Sequence, residues 1–241
     1  MRKLYFCKLH FFKTQMATNQ KDTISEPAKT GSTSNFVQEN KKSLAVIGGA
    51  IVALILLYIG YQKFYLAPRA EKAANEMFKA EEYLAADSLE DRAIKGDGSY
   101  PGFEKIAEEY SNTKSANLAN AYVGGLYLQK GEFKNAVEAL GNYSATGSPV
   151  IDPLVLGMLG DAYSELKDYS KAETFYKKAS DKSENSFTTP LFLKKLGLVY
   201  EEQKEFDSAL DVYKTIKQDY PESFEASLID AYIARAEARL N

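Results

Sequence analysis

The sequence has almost none of the residues on which much site chemistry depends: one cysteine, Cys7, one histidine, His10, and no tryptophan in 241 residues. A single cysteine excludes a disulfide within the chain and a cysteine-built metal cluster. With no histidine beyond His10, neither a Ser/His/Asp nor a Cys/His arrangement can form downstream, and no zinc ligand set is available. Surplus positive charge is also missing from most of the chain. Residues 1–62 hold eight Lys and Arg against Asp22, Glu26 and Glu39, so the formal charge of −3 divides into +5 there and −8 beyond. So acidic a remainder repels phosphate backbones, because nucleic-acid binding depends on Lys and Arg displacing condensed counterions. Nucleic acid is not an expected partner, and no cofactor, metal or small-molecule substrate is expected either.

What the chain does contain, first, is an uncharged apolar run from Ser43 to Tyr61, SLAVIGGAIVALILLYIGY. At about 1.5 Å per residue it spans roughly 28 Å, the hydrocarbon thickness of a bilayer. Lys41 and Lys42 precede it and Lys63 follows, while Tyr58, Tyr61, Phe64 and Tyr65 gather at one end, where amphipathic rings favour the headgroup layer. A cleaved signal peptide would have a shorter apolar region followed by small residues, and bulky rings stand there instead. Cys7 follows Leu4, Tyr5 and Phe6, which is not a lipid-attachment pattern. The expectation is an uncleaved transmembrane helix over 43–62. Its orientation stays open, since Lys29, Lys41 and Lys42 on one flank are matched by Lys63, Arg69, Lys72 and Lys79 on the other. Ala45, Gly49 and Ala53 share one face and would let another membrane helix approach.

Residues 1–42 read as a disordered tail, rich in Thr, Ser, Asn, Lys and Gln from residue 17 on. The first fifteen, MRKLYFCKLHFFKTQ, are basic and aromatic. They are either a membrane-surface helix or an artefact of the assigned start, with translation beginning at Met16; Cys7 and His10 receive no role.

Beyond residue 62 the chain repeats itself. Val123-Gly124 with Tyr127, Leu159-Gly160 with Tyr163, and Leu196-Gly197 with Tyr200 are each followed by an aromatic and an alanine: Phe133 and Ala136, Tyr169 and Ala172, Phe206 and Ala209. Leu140, Tyr176 and Tyr213 take a further large position, and Pro221 closes the third unit. Small residues on both helices of a hairpin permit close crossing, and the large residues are expected to fill gaps between neighbouring hairpins. Units are placed at 117–152, 153–189 and 190–223. Polar turns are expected over Gly141 to Pro153 and Ser183 to Pro190. A degenerate unit at 68–116 precedes them, its first helix starting near Pro68 and running towards Ile94, with the Gly96-Asp97-Gly98 turn before Phe103, Ile106 and Tyr110. Residues 224–241 are expected to form a capping helix that buries Leu228, Tyr232 and Ala236.

These residues resemble the tetratricopeptide repeat, with its Leu-Gly, two residues, Tyr, then Ala, three residues, an aromatic, and Pro. The early Trp of that pattern is replaced by Asn120, Leu156 and Leu193. The resemblance implies an all-α solenoid whose inner face is lined by the first helix of each unit. The positions it assigns there are Leu118, Ala121, Gly125, Leu128, Leu154, Asp161, Glu165, Leu191, Lys194, Leu198 and Glu201. Only Lys194 among them could clamp a C-terminal carboxylate, so that mode of binding is not expected.

Paired acids such as Glu81 with Glu82, Glu108 with Glu109 and Glu201 with Glu202 do not converge on a helix, so they read as solvated faces and no enzyme is expected. Asn142-Tyr143-Ser144 fits a glycosylation pattern too short to assign. Tail, anchor and repeats together resemble the ancillary subunit of the bacterial Sec translocon. The stretch from Ala86-Asp87-Ser88-Leu89 through Gly96-Asp97-Gly98 to Phe103 is similar to Bacteroidetes-type members. That resemblance implies an inner-membrane scaffold with a cytoplasmic N-terminus, periplasmic repeats, and translocon subunits, periplasmic chaperones or translocating chains as partners. An envelope scaffold for cell division or outer-membrane assembly would look almost the same.

Overall fold

A computed structural model describes residues 36–86, 89–182 and 185–240. Cys7, His10, Met16, the polar arm up to residue 35, Asp87, Ser88 and the first residues of the Ser183 turn lie outside the described residues, while 36–39 and 41–42, expected to belong to a disordered tail, are helical. The chain divides into a segment ending at Leu56 and a compact unit from Leu57 onward.

Helix α1, Lys41–Tyr61, carries the apolar run and buries none of its residues. The helix that contains it, Lys41–Leu84, is long and apolar enough to cross a membrane. After α1, Gln62–Leu66 forms a turn of π-helix, and α2, Ala67–Leu84, continues it with Pro68 as its second residue, so the helix does not start at Pro68 as expected but runs through it. Arg69 fixes this region to the repeats. Its guanidinium lies over the rings of Tyr65 and Tyr110, at 5.3 and 5.4 Å, and donates to the Glu109 carbonyl.

The first helix of the degenerate unit is shorter than expected. It ends at Leu84, and a separate short helix α3, Glu90–Lys95, carries the buried Ala93 and Ile94. The reason lies in the turn that follows. Gly96 and Gly98 take positive φ, and Asp97 accepts hydrogen bonds from Ser99 N and Tyr100 N, both at 2.9 Å, and from the Tyr83 hydroxyl at 2.5 Å. These bonds, the Tyr83 one first, hold the Asp97 carboxyl down at about 2. Helix α4, Phe103–Glu109, then packs Phe103 on Tyr122 of the next helix, ring centroids 4.7 Å apart.

Three hairpins follow: α5 Lys114–Gln129 with α6 Phe133–Gly141, α7 Ile151–Glu165 with α8 Tyr169–Lys182, and α9 Thr188–Glu202 with α10 Phe206–Asp219. Thr113 caps α5, its hydroxyl accepting from Ala116 N at 3.2 Å. The expected turns are shorter than the sequence implies, because Pro153 and Pro190 sit inside the first turns of α7 and α9 rather than before them. Ala136, Ala172 and Ala209 are fully buried. The large residues fill a different gap from the one expected. Leu140, Tyr176 and Tyr213 lie over Gly124, Gly160 and Gly197 of their own hairpins, so close that a Cβ on any of the three glycines would fall within 2.5 Å of them. Pro221 follows α10 in an exposed turn.

A short 3₁₀ turn, Ala226–Leu228, leads into α11, Ile229–Leu240. The cap buries Ile229 and Ala236, with Tyr232 tilted against Tyr213 at 5.5 Å, while Leu228 stays 46 % exposed. The chain turns as 3₁₀ through Leu228, so Ile229 takes the buried place expected of Leu228, while Tyr232 and Ala236 keep theirs. No strand occurs among the described residues. Replacing the fully buried Ala172 by Leu is expected to cost about 1–3 kcal/mol, read as a lower urea midpoint.

Candidate partner-binding face

The first helices of the hairpins carry every predicted inner-face residue: Leu118, Ala121, Gly125 and Leu128 on α5, Leu154, Asp161 and Glu165 on α7, Leu191, Lys194, Leu198 and Glu201 on α9. The structure sorts them into two neighbouring depressions of opposite chemistry. A cavity of about 480 Å³ between α5 and α7 gathers Leu118, Ala121, Gly125, Leu128 and Leu154, with Asp161 at its edge and Leu84, Ile151 and Met158 completing it. A second, of about 650 Å³, gathers Asp161, Glu165, Leu198 and Glu201 with Lys195 and Arg235. Leu191 and Lys194 line neither. Leu191 packs against the core, and Lys194 pairs with Glu225 at 3.6 Å.

The polar depression is built from a motif that occurs twice. Tyr176 of α8 donates its hydroxyl to Asp161 at 2.6 Å, and Lys195 of the next unit reaches the same carboxylate at 2.6 and 2.8 Å. One unit further on, Tyr213 donates to Glu201 at 2.9 Å, and Arg235 of the cap reaches Glu201 at 2.9 Å. Burial first, and then the charge of Asp161, push the Tyr176 phenol far above its usual range. Burial and the hydrogen bond to Glu201 do the same for Tyr213. Both tyrosines therefore stay protonated and donating, and each acid ties its own hairpin to the next.

The first hairpin has Leu140 in place of the tyrosine, so it needs no acceptor. Its inner face at the matching positions is Gly125 and Leu128, which is why this end of the face is apolar. Tyr127 turns elsewhere, donating to Glu104 of α4, while Tyr163 stacks on Phe175 at 5.4 Å and Tyr200 is buried. Lys195 and Arg235 escaped the sequence reading, although each stands 34 residues after its acid. That shared interval is the signal that could have found them.

Residues 155–181 and 195–223 each match a family model of the tetratricopeptide repeat. The second and third hairpins are thus similar to tetratricopeptide repeats, helix pairs whose stacked arrays offer concave binding surfaces. No curated protein matches the chain.

Proposed function

We propose that this chain is a single-pass membrane scaffold whose inner repeat face holds partner polypeptides. In this reading it acts as an ancillary subunit of the bacterial Sec translocon, with its N-terminus in the cytoplasm and its repeats in the periplasm. One observation carries the reading: an unburied apolar helix of membrane length stands on the same chain as tetratricopeptide repeats. An exposed run of Leu, Ile and Val of that length is untenable in water and ordinary in lipid. The apolar half of the face would take large side chains of a partner, and the Asp161–Glu201 half would take its cationic or hydrogen-bonding groups. Partners are translocon subunits, periplasmic chaperones or translocating chains, and no catalytic step belongs to the proposal.

A photoreactive residue at Leu118 or Leu154 in living cells tests this directly. Translocon subunits or exported chains are expected in the adducts, and Leu118→Asp with Leu154→Asp should lower an adduct formed from Leu128 about tenfold or more. Adducts with division or outer-membrane assembly proteins would replace the translocon assignment by the envelope-scaffold one, and adducts unaffected by the substitutions would remove the face. A reporter fused after Asn241 should be active only outside the cytoplasm. Cytoplasmic activity would overturn the placement.

A further inference from the structure

A further depression lies away from the predicted inner face. A cavity of about 720 Å³ opens between α6 and α8 and is floored by α7. Its volume falls in the range of about 300–1,000 Å³ usual for small-molecule sites. Leu140, Val155 and Leu159, all at least nine-tenths buried, form the floor, and Val137, Leu156 and Phe175 the walls. The cavity exists because the two second helices are held apart by the nine residues between α6 and α7, which a tighter repeat would lack.

The polar groups lining it decide what it can hold. Tyr143 donates to Asp152 at 2.8 Å, and Asp152 also accepts from Thr146 and Gly147. Tyr163 brings a further hydroxyl to the lining. A polypeptide would bring a backbone N–H and C=O with every residue, to be paired when buried, and these few side chains cannot supply that many partners. A hydrocarbon chain brings none. On the exposed face of α8, Lys178, Asp181 and Lys182 line the rim. Lys178 lies over the Phe175 ring at 5.3 Å, and neither lysine forms an ion pair among the described residues. Among the described residues of the rim, two lysines against the one exposed carboxylate of Asp181 favour an anionic head.

We propose that this outer cavity binds a long-chain fatty acid, its acyl chain on Leu140, Val155 and Leu159 and its carboxylate at Lys178 and Lys182. The site opens on the other side of α7 from the α5–α7 cavity, with Val155 lining both.

The test uses the full chain in phosphatidylcholine nanodiscs with a palmitic-acid analogue carrying a mid-chain diazirine. After irradiation, labelled peptides are mapped by mass spectrometry, with label in the α1 span as the internal standard. Label is expected in the α6, α7 and α8 peptides that line the cavity. Lys178→Glu with Lys182→Glu, both exposed positions that leave the core intact, should lower it about tenfold relative to the span, and Val137→Trp should remove it. A diazirine-bearing long-chain alcohol should label the cavity much less than the acid does. Label confined to the span, cavity label unchanged by the charge reversals, or equal labelling by the alcohol would each overturn the proposal.

Discussion

Gly197→Ala is expected to destabilise the repeat array by about 1–2 kcal/mol net, whereas Gly125→Ala on the matching helix of another unit should stabilise it by up to about 1 kcal/mol. The intrinsic term is the same for both, since replacing a helical glycine by alanine gains about 0.5–1 kcal/mol in backbone entropy. Their surroundings give the opposite signs. A Cβ on Gly197 would sit 2.2 Å from Tyr213 Cε1 and 2.6 Å from Cζ. That ring is fully buried, and its hydroxyl is held by Glu201, which Arg235 holds in turn. It cannot swing aside without losing both bonds, so the overpacking cost of about 1–3 kcal/mol, occasionally more, exceeds the intrinsic gain. A Cβ on Gly125 would meet only Met158 Sδ, at 3.4 Å, and a thioether on three rotatable bonds yields easily. Urea unfolding of the full chain in mild detergent, followed by helical circular dichroism, measures both. Midpoints that move in the same direction would show that the hairpin register is wrong.

That contrast marks what could be read from the residues alone. The glycines, alanines and large residues recur because helices that cross closely admit only small side chains at the crossing, and the requirement recurs with every unit. Helix α1 was legible for a similar reason, as nineteen uncharged apolar residues satisfy few environments other than lipid. What stayed hidden depends on partners far apart in the chain. The break between α2 and α3 is tied to Tyr83 reaching Asp97, and no local pattern announces it. In the last helix only the first buried place differs from the expectation, because Leu228 and Ile229 are equally apolar in a list of letters.

The residues expected on the inner face all lie on first helices, but how their side chains group could not be read from the sequence. Asp161 follows its glycine by one residue and Glu201 follows its own by four, so the two acids look unrelated in an alignment. On a helix these positions are one turn apart on the same side, and the tyrosine hydroxyl of the second helix can reach either. The apolar end then follows from one substitution, Leu140 where the later units have tyrosine. A partner would meet a face that changes from apolar to charged between the first hairpin and the third, which favours an amphipathic segment laid along the array over a uniformly polar one.

Asp152→Ala is expected to cost about 3 kcal/mol or more, a large effect for a residue in a connecting turn. The carboxylate is 1 % exposed. Its Oδ1 accepts from the Tyr143 hydroxyl, Thr146 N and Thr146 Oγ1 at 2.8, 2.9 and 3.1 Å, and its Oδ2 from Gly147 N at 2.9 Å. Alanine would leave four donors without their acceptor, at about 1–3 kcal/mol each where buried and less at Thr146 and Gly147, which are exposed to water. Asparagine keeps an acceptor for Tyr143 and Thr146 but points an N–H₂ at Gly147 N, so Asp152→Asn should fall between the two. Burial opposes the charge on Asp152, yet the bonds from Thr146, Tyr143 and Gly147 outweigh it and hold the folded carboxyl below its usual value. A depressed carboxylate stabilises the fold fully above its unfolded pKa of about 3.9 and loses that contribution as pH falls through the lower folded value. Wild-type stability should therefore drop below about pH 4 more steeply than that of Asp152→Asn, which has no proton to take up there. Parallel acid limbs for the two would mean that the turn is not held by this carboxylate. Asp152 also seats the loop beside the outer cavity, so Asp152→Ala should lower fatty-acid labelling there while leaving adducts from Leu128 on the inner face unchanged.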